Sequence, residues 1–185
     1  MVDSLPPSDI TKDAWHGVMA RIEKWTENIP DYWTGMLSCL EQCGHDVFSQ
    51  RSKKLTRQYM DFPTGRGGVT IYLGLKSDLI QAGINFQDTT THFAHESFNK
   101  LIQDRRSIER EYGAEPSPLI WQIRTAKRAG VYCERQADLH VHDRSHWERC
   151  YRWQERHLSR FFRVFQPRVA NIGVSYSRKF ADYLS

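Results

Sequence analysis

Val69-Thr70-Ile71-Tyr72-Leu73-Gly74-Leu75, then Lys76-Ser77-Asp78, then Leu79-Ile80-Gln81-Ala82-Gly83-Ile84-Asn85-Phe86 is the stretch that decides the fold. Val69, Ile71, Leu73 and Leu75 alternate with smaller or polar residues, and Ile80, Ala82, Ile84 and Phe86 alternate again. A period of two puts each apolar set on one face of a strand. The polar Lys76-Ser77-Asp78 between them makes the pair a β-hairpin.

Working outward, Leu119, Trp121 and Ile123 predict a third strand and residues 129–141 a fourth. The other apolar residues recur at helical spacing. Ser8 or Asp9 caps a first helix through about Glu27, with Trp15, Val18, Met19 and Ile22 inward. Pro30 starts a second, with Trp33, Met36, Leu37 and Leu40 inward and Gly44 as its stop. A third runs from Thr91 to Tyr112, with Phe98, Leu101, Ile102 and Ile108 on its core face and a break at Gly113. The last runs from Ser145 to Phe165 and gives way to a polar tail after Pro167. Gln50–Gly68 reads as a basic and then Gly/Pro-rich loop, with a short strand around Gln58–Asp61. The expected class is α+β: a mainly antiparallel four-stranded sheet with N-terminal helices, a central helix and a long C-terminal amphipathic helix. One domain spans residues 1–185, with residues 1–8 as a leader and 173–185 as a flexible tail.

With 185 residues, 39% hydrophobic and 26% charged, the composition is that of a globular protein with a core. No apolar run reaches the roughly 20 residues a spanning helix needs. Met1-Val2-Asp3-Ser4-Leu5-Pro6-Pro7 lacks the basic start and apolar centre of a secretory signal, so the cytoplasm is the expected location. Cys39 and Cys43 stand four apart on a helix, which disfavours a mutual disulfide, and Cys133 and Cys150 are isolated, so four buried free thiols are expected. A zinc site from Cys39, Cys43 and His45 lacks the usual paired spacing. The net charge of +4 hides a gradient: residues 1–50 hold 3 basic and 8 acidic side chains, and residues 111–185 hold 13 and 8.

Several residues resemble a family pattern. Phe98-x-x-Leu101, Ile108-Glu109, Tyr112-Gly113 and Leu119-x-Trp121 form one part of it. Trp147-(x)5-Trp153 and Phe165-x-Pro167-Arg168-Val169 form another, and the Gly65-Arg66-Gly67-Gly68-Val69 loop fits the same scheme. The pattern is similar to that of an uncharacterised bacterial domain-of-unknown-function family, often fused behind restriction-endonuclease-like nuclease modules. The resemblance spans about residues 30–170. It implies a DNA-linked setting and a nuclease or other protein partner, but no catalytic residue.

The strongest pointer to a partner is a stripe of arginines. Arg149, Arg152, Arg156, Arg160 and Arg163 are spaced three, four, four and three apart, which aligns them on one helix face. Trp147, Tyr151, Leu158, Phe161, Phe162 and Phe165 take the opposite face, and Trp153 borders the stripe. The stripe is about 21 Å long, enough to meet several phosphates. A guanidinium fork suits phosphate oxygens. Within the helix Glu148 is the favourable i, i+4 partner, to Arg152. Arg51, Lys53, Lys54 and Arg57, followed by Arg66, form a second basic patch. Gly65-Arg66-Gly67-Gly68 precedes a strand rather than a helix, so it is a tight turn and not a phosphate-binding loop.

One constellation would suit an enzyme. If residues 131–142 form one strand, Glu134, Asp138, His140 and His142 share a face and could ligate a metal that activates water. A solvent-facing strand is normally polar, so these are metal candidates only. Cys133 and Cys150 lack a readable base, and His92 and His95 open a helix. The expected function is a nucleic-acid-binding or accessory domain without a cofactor. A small metal-dependent nuclease and a protein-interaction module, including a homo-oligomer, are the alternatives.

Overall fold

The computed structural model describes residues 12–45, 58–76, 79–88, 93–113, 118–136 and 143–172, with the backbone alone for 12–26 and 136. The leader, the tail, Arg51–Arg57 and Ala137–His142 lie outside the described residues.

The hairpin forms as its alternation requires. β2 (Val69–Leu75) pairs antiparallel with β3 (Leu79–Gln87), with Ile71 opposite Ile84 and Leu73 opposite Ala82. The sheet has five strands rather than four. β1 (Tyr59–Pro63) pairs with β2 at one edge, and only Met60 and Phe62 of its residues are buried. It overlaps the short strand expected around Gln58–Asp61 but runs to Pro63 and joins the sheet, which the count of four left out; two inward side chains and a terminal proline mark it only weakly. β4 (Ile120–Thr125) and β5 (Arg128–Gln136) form a second hairpin, and the order is β1-β2-β3-β5-β4 with every pair antiparallel.

The helices also differ from expectation. The two expected N-terminal helices are one, α1 (Lys12–Gln42), which runs through Pro30. Proline's φ is helical, and losing one N–H removes a single intrahelical bond. Ile29, Trp33, Met36 and Leu40 continue one buried stripe across it. α1 ends where Gly44 takes φ 78°, while the N–H of His45 reaches the Leu40 carbonyl at 3.1 Å.

The expected third helix breaks at Asp104 into α2 (Phe93–Gln103) and α3 (Arg105–Tyr112). The Asp104 N–H bonds back three residues to Leu101, and its carboxylate is taken by Arg168 at 3.0 Å. The break turns Ile102 outward: it is 41% exposed, not a core residue. α4 (Trp147–Ala170), entered through a short 3₁₀ turn, passes through Pro167 to end three residues beyond it.

The core lies between one face of the sheet and the helices. α2 and α4 pack directly on the sheet, and α1 and α3 flank α4. Phe161 and Phe165 stack with ring centres 5.1 Å apart, and Phe165 meets Trp121 at 6.4 Å. Gln154, fully buried, fastens α4 to the sheet by donating to the carbonyls of Gly74 and Gln81, and it accepts from the Tyr32 hydroxyl of α1.

Candidate nucleic-acid interface

Burial divides α4 as the helical period requires. Trp147, Leu158, Phe161, Val164 and Phe165 face the core, while Arg149, Arg152, Arg156 and Arg163 are exposed and Arg160 is half-buried. The arginine ridge therefore runs along the side of α4 turned away from the sheet, between α1 and α3.

Each ridge position has its own setting. Arg152 pairs with Glu148 one turn earlier at 2.5 Å, and both side chains are largely exposed, so solvent screens the pair. Arg160 lies over the Tyr112 ring of α3 at 5.9 Å. Arg163 donates to the Glu111 backbone carbonyl at 3.1 Å, a neutral acceptor that leaves its charge unneutralised. The carboxylate of Glu111 goes instead to Arg168, at 2.7 Å. Arg168, outside the predicted stripe, thus ties the end of α4 to both ends of α3 through Asp104 and Glu111. Arg149 has no partner among the described residues.

Beside the ridge, α1 and α4 enclose an open groove of 630 Å³ lined by Cys39, Cys43, Tyr151, Arg152, Glu155 and Arg156 among others. Its acids are in use: Glu148 holds Arg152, and Glu155 bonds His45 Nε2 at 2.7 Å. The Ser159 hydroxyl meets the same Nε2 at 3.2 Å. A catalytic triad needs the acid on one ring nitrogen and the hydroxyl on the other. Serine and acid here share one nitrogen, so the arrangement is a clasp between α1 and α4.

All four cysteines are free, and Cys133 and Cys150 are buried, but Cys39 is half-buried and Cys43 exposed, contrary to the expectation of four buried thiols. Burial pushes the Cys39 thiol up to about 11. Among the described residues no three His, Cys, Asp or Glu side chains are placed to hold a metal ion. Glu134 accepts from Gln81 at 2.9 Å, while Asp138, His140 and His142 lie outside the described residues. Also among the described residues, no helix is long and apolar enough to cross a membrane.

The second basic patch is only partly visible, because Arg51, Lys53, Lys54 and Arg57 lie outside the described residues. Arg66 is described and half-buried, over the Phe93 ring at 5.8 Å. Its loop is a tight turn: Gly68 takes φ 77°, and a Cβ there would come within 2.7 Å of the Gln87 carbonyl. Trp153 is not available to a base, since it is buried and tilted against the His157 ring with centres 4.1 Å apart. His95 holds the Thr125 carbonyl at 2.9 Å, and His92 lies outside the described residues.

Sequence reasoning missed the cations of the β4–β5 hairpin. Arg124 stands over the rings of Tyr72 and Tyr132, 5.8 and 5.1 Å from their centres, and donates to the Tyr72 hydroxyl at 2.9 Å. The signal was present as Arg124-x-x-Lys127-Arg128, but only the pairing of the strands shows which side of the sheet it occupies.

The model of one protein family, described as "Domain of unknown function (DUF4268)", matches residues 30–169, from the middle of α1 to the last turn of α4. No curated protein and no solved structure matches the chain.

Proposed function

The chain belongs to this family, the domain of unknown function DUF4268, and from that premise we propose that it is a non-enzymatic nucleic-acid-binding accessory domain of bacterial DNA metabolism or defence, acting in the cytoplasm. The observation that carries the reading is the ridge of α4, where four of five aligned arginines are exposed on a rigid helix anchored to the sheet. Guanidinium groups spaced along one helix have the reach and the forked donors to meet successive backbone phosphates. The setting is inferred from the resemblance to a family often fused behind restriction-endonuclease-like modules, and in this proposal a nuclease or other protein partner provides the chemistry.

The test is a fluorescence-anisotropy titration with duplex DNA at several salt concentrations. Four phosphate contacts, one for each exposed arginine, give a log–log slope of about −3.6, or a fall of about 150-fold between about 50 and 200 mM salt. Arg149→Glu with Arg156→Glu removes most of the affinity and flattens the slope. Binding that ignores salt, or survives the double substitution unchanged, overturns the reading.

A further inference from the structure

The two helices that pack on the sheet use one of its faces. On the other, three tyrosines and Arg124 gather. Tyr59 and Tyr72 meet edge to face at 5.8 Å, and Arg124 stands over Tyr72 and Tyr132. Glycines leave the room that these rings occupy. A Cβ on Gly74 would come 2.9 Å from the Tyr59 ring, and one on Gly83 would come 2.8 Å from the ring of Tyr72. The rings therefore lean across the sheet. Tyr59 remains 39% exposed and Tyr132 half-buried.

One end of this face is cationic. The Gln87 N–H bonds the Gly68 carbonyl at 2.8 Å, and the Asp88 N–H bonds the Lys127 carbonyl at 2.9 Å. Those two bonds bring the Arg66 turn and the Lys127–Arg128 turn to the same end of the sheet. Lys127 and Arg128 are exposed, and no carboxylate pairs with Arg124, Lys127 or Arg128 among the described residues.

We propose that this face binds single-stranded nucleic acid. Unpaired bases stack on Tyr59 and Tyr132, and the phosphates follow Arg124, Lys127 and Arg128. The inference rests on the nucleic-acid reading of α4 and adds a second contact that selects the strandedness of the ligand. Tyrosine faces reward any unpaired base. A duplex keeps its bases stacked inside and offers this surface only its backbone. Arg124 lies beside the Tyr72 and Tyr132 rings, and Lys127 and Arg128 carry the positive charge on to the Gln87 end of the face, away from Tyr59 and Glu134, so the backbone of a single strand has cations to follow from Tyr132 to that end.

The test compares a fluorescent oligothymidylate of about 15 nucleotides, a length such surfaces span, with a duplex of equal length, both against the full chain. Tyr59→Ala weakens the single strand about tenfold, the loss expected for one stacked base; Lys127→Glu with Arg128→Glu weakens it and flattens its salt dependence; both leave the duplex unchanged. Tyr59→Phe, which keeps the ring face, retains binding, and unchanged thermal unfolding excludes misfolding as the cause. If these variants bind the single strand as the parent does while Arg149→Glu with Arg156→Glu loses the duplex, the sheet proposal falls and the reading of α4 stands. If the parent chain binds neither probe, both fall.

Discussion

The hydroxyl of Tyr112 lies 2.5 Å from Nδ1 of His157, with the Cys133 thiol 3.3 Å from each. Three polar side chains thus join the end of α3, the middle of α4 and strand β5 inside the core, where His157 and Cys133 have no exposed surface. Cys133 is no nucleophile, because burial pushes its thiol up to about 12 and keeps it protonated.

Tyr112→Phe keeps the ring beneath Arg160 and removes only the hydroxyl that the cluster shares. The expected cost is about 1–3 kcal/mol, the range for leaving a buried polar group short of a partner. Urea unfolding followed by tryptophan fluorescence measures it. An unchanged midpoint would show that the cluster adds nothing to stability. Nucleic-acid affinity is expected to stay the same.

Stability should fall at alkaline pH. Burial raises Cys133 from 9.0 to about 12, Cys39 from 9.0 to about 11 and Tyr72 from 10.0 to about 12. Groups held protonated in the fold lose their proton more readily when unfolded. Their contribution is therefore complete below about pH 9 and declines as pH rises towards the folded values. For buried Cys133 the slope is about 1.4 kcal/mol per pH unit in that window. Thermal melts across it should show Tm dropping, less steeply in Cys133→Ala; parallel curves for parent and variant would contradict this account.

Gly35→Ala tests the crossing of α1 over α4. Alanine favours a helix over glycine by about 1 kcal/mol. Its Cβ, however, would meet the Tyr151 hydroxyl and come 2.9 Å from Cζ of that ring, which Tyr32 holds at 4.8 Å between ring centres. A net loss of about 1–3 kcal/mol is expected from such overpacking. In a Tyr151→Ala background the same substitution should become stabilising. The double-mutant cycle decides the matter by its coupling sign.

Arg149 and Arg168 separate binding from stability. Arg168→Ala breaks the ties to Asp104 and Glu111, whose carboxylates are half exposed, and should lower the unfolding free energy by about 0.5–2 kcal/mol, with little change in DNA affinity. Arg149→Ala should leave unfolding unchanged and reduce the salt slope by about 0.9 for one lost phosphate contact. Reversed outcomes would move the interface towards α3.

Strict alternation made β2 and β3 legible, and the 3.6-residue period located the ridge of α4. The prolines misled in opposite ways. By sequence Pro30 marks a helix start and Pro167 a helix end, yet Ile29 and Trp33 on one helix and Phe165 and Val169 on the other carry buried stripes past them. Tertiary burial outweighs one missing hydrogen bond. β1 is legible only as a short strand around Gln58–Asp61 and not as a member of the sheet, because Met60 and Phe62 alone face inward. In the site, spacing placed all five arginines on one face but could not show that Arg160 leans over Tyr112. Nor could it show Arg168 spending its charge on α3, because both facts belong to a neighbour distant in sequence.

The strand order has a kinetic consequence. β1-β2-β3 and β4-β5 are each built from neighbours in the chain, so each closes with a short loop and little entropy loss. Only the seam between β3 and β5 joins distant segments, bringing Ala82 beside Cys133 with α2 and α3 between them in the chain. Meander and hairpin can therefore form independently, and joining them is the step of the sheet expected to limit its folding rate. Substitutions along that seam should slow refolding, whereas those in the outer edge strands should chiefly speed unfolding.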